Sequence, residues 1–219
     1  MKKLCKTLMV LLAITIFAFF VSCDNDTKTE ENNKADFIGE WIQDSLETEI
    51  VITTPGAFTI NSIDEDFEGL TGTYKETANG AVISIEGFED EFVLIFLEQD
   101  VFKIELPEQM GGEVFFIKHR NTDINFTGVW KNSDSSISAA INDSTNALIV
   151  TLGTGEDTIS IQGTYEEEDN AFVMFLTEDE YGLEQEIGSG MVSISGKAYT
   201  FCMDANGDWS STVLSKTGE

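Results

Sequence analysis

Apolar and polar residues alternate with a period of two along most of the chain after residue 36. Ile50 and Ile52, for example, are separated and flanked by Glu49, Val51 and Thr53. This period places the apolar residues on one face of a β-strand, so each such run predicts a strand with one buried and one wet face. The same pattern occurs in four further runs: Ala81–Ile85, Phe102–Leu106, Ile159–Ile161 and Val192–Ile194.

One run departs from this alternation. Phe92–Leu97 is apolar throughout and predicts a strand that is covered on both faces. No long stretch has the periodicity of an amphipathic helix, so the sequence predicts an all-β fold.

Turn-forming residues separate the predicted strands. Glycine and asparagine tolerate positive φ angles, so Pro55-Gly56, Asn79-Gly80, Gly111-Gly112 and Asn206-Gly207 suit tight connections. Many short strands joined by close turns are typical of a sandwich or a barrel. In the first half of the chain we expect eight strands, near residues 37–43, 48–54, 57–63, 70–76, 80–86, 91–98, 101–106 and 113–119.

Two motifs occur twice and in the same order. Phe37-Ile-Gly39-Glu-Trp41 returns as Phe126-Thr-Gly128-Val-Trp130, and Gly72-Thr-Tyr74 returns as Gly163-Thr-Tyr165. The two offsets are 89 and 91 residues. This regularity predicts two homologous units, 36–120 and 124–217. The alternative is one larger barrel or sandwich shared by both repeats.

A Gly-x-Trp motif on a first strand, followed by Gly-Thr-Tyr, resembles the lipocalin-like (calycin-type) small barrels of bacterial lipoproteins. The resemblance implies two tandem antiparallel up-and-down β-barrels. It also implies that Trp41 and Trp130 each close one end of a barrel. Lys118 and Lys216, on the last strands, stand where the family places a basic residue across that tryptophan.

The resemblance also bears on the barrel interiors, because larger members of the family bind apolar ligands there. An eight-stranded barrel is just wide enough to be filled by side chains or to hold one small ligand. In units this short we expect filled interiors, with most of the sixteen phenylalanines in the cores.

The start of the chain has the features of a secretory signal peptide. Three lysines precede an apolar run, Leu8–Phe20, and Val21-Ser22 supplies a small residue for cleavage, which predicts a signal peptide over residues 1–22. Cysteine directly after the small residue resembles the lipobox of bacterial lipoproteins, although Phe20 stands where the consensus prefers leucine. The resemblance implies an acylated Cys23 at the mature N-terminus; the alternative is an ordinary signal peptide with an incidental cysteine.

Residues 23–35 are polar and charged and contain no large apolar side chain, so we expect a flexible acidic tether. With the lipid on Cys23, the tether would hold the protein at the bacterial cell envelope. We expect the outer membrane or the cell surface rather than the inner membrane.

Charge excludes some partners. Removal of residues 1–22 takes away three lysines and no acid, which leaves 9 Lys and Arg against 40 Asp and Glu, a formal charge of −31. Nucleic-acid binding needs basic patches, so it is disfavoured. A basic protein partner suits this charge, although solubility alone also accounts for it.

The chain offers little catalytic chemistry. His119 is the only histidine, no nucleophile elbow or phosphate-binding loop is present, and we expect His119 to be a solvated strand end. Cys202 lies in a strand-like run and is expected to be a buried hydrophobe. Asp204, Asn206 and Asp208 have the spacing of calcium ligands, but Trp209 occupies the position that requires glycine. We therefore expect no metal, no cofactor and no enzymatic activity.

These observations favour a non-catalytic binding role at the cell envelope. The first hypothesis is a protein-interaction module, such as an adhesin or an inhibitor of a basic enzyme. The second is a carrier of a small apolar ligand, which an open cavity between Trp41 and the strands of the first unit would favour. A hydrolase that uses acidic pairs ranks last, because no residues that would orient such a pair are visible.

Overall fold

The computed structural model describes residues 36–65, 67–106, 112–155, 158–176 and 185–217. The predicted signal peptide, Cys23 and the tether lie outside these residues. The predicted all-β fold is confirmed: the described strands form two closed eight-stranded antiparallel barrels, not one shared barrel. Both barrels belong to one compact unit, Ala35–Glu219. Within the described residues there is no helix long and apolar enough to cross a membrane.

Barrel 1 is an up-and-down barrel whose first and last strands pair and close the sheet, with Trp41 opposite Lys118. Its strands are β1 (Gly39–Gln43), β2 (Thr48–Thr54), β3 (Ala57–Ser62), β4 (Thr71–Glu76), β5 (Gly80–Ile85), β6 (Glu91–Glu98), β7 (Val101–Glu105) and β8 (Glu113–Lys118). All eight agree with the predicted strands to within two residues.

Barrel 2 has the same topology and closes with Trp130 opposite Lys216, as expected for an internal repeat. A short 3₁₀ helix, Asp143–Thr145, joins its second and third strands. Its strands are β9 (Gly128–Lys131), β10 (Ile137–Asn142), β11 (Ala147–Leu152), β12 (Ile159–Glu168), β13 (Ala171–Leu176), β14 (Gln185–Val192), β15 (Lys197–Met203) and β16 (Trp209–Thr217).

Three details of the predicted burial are wrong. β6 is not covered on both faces, because Val93 and Leu97 on its outer face are 52% and 44% exposed. Ile159 begins β12 at the end of the barrel and is half exposed. β14 ends at Val192, so Ile194 lies in the following turn and is exposed, whereas Ser193 is buried.

The two barrels pack against each other through apolar side chains on their outer faces. Val101, Phe115 and Ile117 of barrel 1 form one buried cluster with Met191 and Tyr199 of barrel 2. The Phe115 and Tyr199 rings meet edge to face with centroids 5.1 Å apart. This contact explains why Val101 and Ile117 are fully buried although they alternate with residues of the barrel interior.

Polar contacts surround this apolar interface. Asn170 is fully buried and accepts a hydrogen bond from the Arg120 backbone N–H (3.0 Å), while its amide donates to the Val192 carbonyl (3.1 Å). Asp100 accepts a hydrogen bond from the Ile194 N–H at 2.7 Å. Because buried polar groups are costly unless paired, these bonds fix the orientation of the two barrels.

Glu98 joins the same interface by accepting hydrogen bonds from Lys197 Nζ (2.8 Å) and Tyr199 Oη (2.9 Å). Burial opposes ionisation of Glu98, but the bonds from Lys197 and Tyr199, together with the Ser195 and Ser193 hydroxyls, outweigh it and lower its pKa to about 2. Glu98 is therefore a carboxylate at neutral pH and balances the charge of Lys197.

Candidate functional site

Each barrel is closed at one end by a tryptophan in the same setting. Trp41 and Trp130 are buried, and their indole N–H groups donate to the carbonyls of Phe37 (2.9 Å) and Phe126 (2.8 Å). Lys118 Nζ lies 5.5 Å from the centre of the Trp41 ring system. Lys216 Nζ lies 5.7 Å from that of Trp130, so both lysines are within the range of a cation–π contact.

Two glycines make room for these lysines. Gly39 has a φ of +139° and Gly128 one of +136°, a conformation that side chains with a Cβ rarely adopt. A Cβ at Gly39 would lie 2.6 Å from Lys118 Cε, and one at Gly128 would lie 2.8 Å from Lys216 Cε. The glycine of each Gly-x-Trp motif therefore leaves the space in which the lysine side chain lies beside the tryptophan at the closed end of the barrel.

The second repeated motif has a packing role. A Cβ at Gly72 would collide with the ring of Phe58, and one at Gly163 would collide with the carbonyl oxygen of Phe175. Tyr74 stacks on Phe37 with centroids 4.9 Å apart, which adds to the closed end of barrel 1. Tyr165, its counterpart, is buried in the core of barrel 2.

Barrel 1 contains a cavity of about 370 Å³ in the half that lies away from Trp41. Its walls are isoleucine, leucine, valine and phenylalanine side chains, such as Ile60, Ile83 and Ile104. Gln43 and Thr48 are the polar residues of the described lining. This volume lies within the range of about 300–1,000 Å³ that small-molecule sites occupy. The expectation of a filled interior is therefore wrong for barrel 1.

Aromatic rings surround the cavity at its open end, where the β3–β4 and β5–β6 loops meet. Phe67 and Phe88 stack with centroids 6.3 Å apart, and Phe88 meets Phe92 edge to face at 6.4 Å. Phe88 is 39% exposed although it is large and apolar. An exposed aromatic ring beside an apolar cavity is typical of a binding-site entrance.

Barrel 2 supplies one part of this wall. Phe201 of β15 lines the cavity and stacks on Trp209 of β16, with ring centroids 5.4 Å apart. Trp209 is itself 40% exposed. The site is therefore built from both barrels, which neither repeat alone predicts.

In the described part of barrel 2, the side chains around Trp130 leave a void of only about 10 Å³. Strand pairing aligns the two repeats: β14 carries Gly188 and Gly190 where β6 carries Phe92 and Leu94. A Cβ at Gly188 would lie 2.8 Å from Met174 Cε and 2.7 Å from Cys202 Cβ. Met174 and Cys202 therefore pack directly against the backbone of Gly188.

Asp44 is a buried acid beside this site that sequence patterns do not reveal. It follows β1, is fully buried, and neither carboxylate oxygen has a hydrogen-bond partner in the described part of the chain. Loss of hydration raises the pKa of Asp44 to about 7. The Ser211 hydroxyl and nearby backbone groups offset part of this penalty without reaching hydrogen-bonding geometry.

The remaining candidate reactive groups, His119 and Cys202, are engaged in contacts within the fold. His119 directly follows β8, as predicted, but is only partly solvated: its ring nitrogens lie 3.3 Å from Glu40 Oε2 and from Asp169 Oδ2, so it links the two barrels. Cys202 is buried as predicted, and burial raises the pKa of its thiol to about 11. Among the described residues no group of three or more His, Cys, Asp or Glu side chains is arranged to hold a metal ion.

Comparison with known proteins adds no family assignment. No protein-family model matches the chain, and a search of the curated proteins finds no match.

Proposed function

We propose that this protein is a lipid-anchored, lipocalin-like binding protein of the bacterial cell envelope that carries a small apolar ligand in barrel 1. The apolar cavity of about 370 Å³ is the observation that supports a carrier over a protein-interaction module. Burial of apolar surface stabilises a bound ligand by roughly 25 cal/mol per Å². No catalytic step is part of the proposal.

The two ends of barrel 1 differ in a way that suits such a carrier: one end is packed with aromatic rings and the other contains the cavity. Around Trp41, the rings of Phe37, Phe96 and Phe102 fill the interior, with Trp41 4.8 Å from Phe102 and 5.9 Å from Phe96 by centroid. In the other half of barrel 1 the interior is not filled, and the cavity lies there. A ligand would therefore enter the cavity past Phe67 and Phe88, and its inner end would contact the aromatic rings packed around Trp41.

A basic protein partner is the second candidate, and the formal charge of −31 after removal of residues 1–22 supports it. Interactions between exposed charges are screened within about 8 Å at physiological salt, so a charge-driven complex weakens as salt rises. Uptake of a neutral apolar ligand into the cavity is not weakened by salt, because it involves no charge pair. The two roles are compatible, because they use different surfaces.

Native mass spectrometry of gently purified protein tests the carrier role. We expect a mass in excess of the chain that organic solvent releases as a small apolar compound. A chain without an adduct that also takes up no added decanol under the same conditions would contradict the proposal.

The lipid anchor has its own test. Metabolic labelling with a fatty acid is expected to mark the wild-type protein, and Cys23→Ala is expected to abolish the label. Label that survives Cys23→Ala, or a wild-type protein without label, would rule out acylation at this cysteine. Cys202→Ala is the matched control, and it should leave the label unchanged.

A further inference from the structure

The loops at the open end of barrel 1 are uniformly acidic. They join β1 to β2, β3 to β4, β5 to β6 and β7 to β8, and their sequences contain ten Asp and Glu residues, including the buried Asp44, and no Lys, Arg or His. Glu89 and Asp90 lie directly after Phe88 and are exposed. Apart from the buried Asp44, the seven acids that the structure describes in these loops are exposed, so negative charge lies along the described part of the cavity entrance.

Barrel 2 adds acids to the same rim. The β15–β16 hairpin carries Phe201 and Trp209, and its turn contains Asp204 and Asp208. Backbone N–H groups of Asn206 and Asp208 donate to Asp204 and hold its pKa below its ordinary value. Asp204 is therefore ionised at neutral pH, and the negative charge of the rim continues onto barrel 2.

Basic residues that could hold an anionic ligand are placed elsewhere. Lys118, His119 and Arg120 follow one another at the closed end, beside Trp41. Lys103 points outward from β7 and is engaged by both Glu105 (3.0 Å) and Glu113. Among the described residues no cation lines the cavity. A carboxylate or phosphate headgroup at the entrance would meet only like charge.

The aromatic rings of the entrance favour a positive charge for a second reason. Phe88, 39% exposed, and its stacked neighbour Phe67 stand at the mouth, and a cation that reaches the free face of such a ring is attracted to the ring electrons. Loss of water at the rim strengthens this attraction. Ring faces and carboxylates therefore select the same sign of charge.

We infer that the ligand of barrel 1 is a cationic amphiphile, whose hydrocarbon body enters the cavity and whose amine or quaternary ammonium head stays at the acidic, aromatic entrance. This inference rests on the proposed carrier function and specifies its ligand class. The cavity supplies affinity for the apolar body, and the rim supplies discrimination between headgroups.

A headgroup series on one chain length tests the inference. Decyltrimethylammonium, decanol and decanoate are titrated into Ala35–Glu219, which contains both barrels in one compact unit, at low ionic strength. We expect the cation to bind at least about tenfold more tightly than decanol, and decanoate to bind more weakly than decanol. High salt should reduce the advantage of the cation, because it screens the exposed carboxylates.

Two variants with the same change in net charge identify the rim as the cause. Glu89→Gln with Asp90→Asn should lower the preference for decyltrimethylammonium over decanol severalfold. Glu166→Gln with Glu168→Gln, at exposed positions of β12 in barrel 2, should leave it unchanged. All four positions are exposed, so neither variant disturbs a core.

The outcomes separate the inference from the proposed function. Decanol or decanoate binding as tightly as the cation would overturn the cationic specificity and leave the carrier role intact. Equal effects of the two double variants would also overturn it. Failure of all three compounds to bind would overturn both.

Discussion

We expect the stability advantage of Asp44→Asn over the wild type to grow by about 2–4 kcal/mol as the pH is raised from 4 to 8. Asp44 is fully buried, and its folded-state pKa of about 7 lies well above its ordinary value of 3.8. The folded state therefore binds a proton more tightly than the unfolded state does. Ionisation of Asp44 costs stability as pH rises from about 4 towards 7, and asparagine cannot ionise.

Urea unfolding at pH 4 and at pH 8 measures this effect. At pH 4 the wild type keeps Asp44 protonated, so the two proteins should differ least there. Asp90→Asn, at an exposed position of the cavity rim, is the matched control and should show no comparable change with pH. A free-energy difference between wild type and Asp44→Asn that is the same at both pH values would contradict a buried, uncompensated carboxyl group.

Asp44 lies where the two barrels meet, so its ionisation affects the contact between them. Asp44 lies in the β1–β2 loop of barrel 1, and the Ser211 hydroxyl that partly offsets its desolvation belongs to β16 of barrel 2. Nearby, Ser189 of β14 donates a hydrogen bond to the Ser45 carbonyl at 3.1 Å. The interface between the barrels thus contains the group that the pH change ionises.

Tryptophan substitutions at two corresponding positions are expected to destabilise the two barrels to different extents, because the position in barrel 1 borders the open cavity. Strand pairing places Ile83 opposite Tyr74 in barrel 1 and Met174 opposite Tyr165 in barrel 2, so the positions correspond. Ile83→Trp extends into the cavity and should change stability by less than about 1 kcal/mol. Met174→Trp overfills a packed interior and should cost about 1–3 kcal/mol.

Thermal or urea unfolding of the two variants provides the comparison. Met174 borders a void of only about 10 Å³, and its Cε lies 2.8 Å from where a Cβ of Gly188 would stand. Ile83 faces the cavity of about 370 Å³. Equal destabilisation by both substitutions would mean that barrel 1 is as tightly filled as barrel 2.

The strands of barrel 1 were predictable because two independent signals agree. Alternation fixes which residues face inward, and Pro55-Gly56 and Asn79-Gly80 mark where neighbouring strands turn. The same alternation gives no information on what covers the outer face. Val101 is buried by barrel 2 and Val93 is open to solvent, although both are outward-facing valines of adjacent strands.

The site was less accessible to sequence reasoning. The positions at which the two barrel interiors differ correspond only once the strand register is known: Phe92 and Leu94 of β6 stand where Gly188 and Gly190 of β14 do. Asp44 lies in the loop between two predicted strands, where the alternation of apolar and polar residues gives no signal of burial. Its burial comes from a second barrel that is distant in sequence.

Titration of a neutral, environment-sensitive fluorescent probe into the wild type and into Ile83→Trp tests whether barrel 1 holds a ligand in its cavity. We expect saturable binding to the wild type at one site and an affinity at least about tenfold lower for Ile83→Trp, because the new ring occupies the cavity. Met174→Trp should bind like the wild type. Absence of saturable binding to the wild type, or equal affinity for Ile83→Trp, would contradict a ligand-binding cavity in barrel 1.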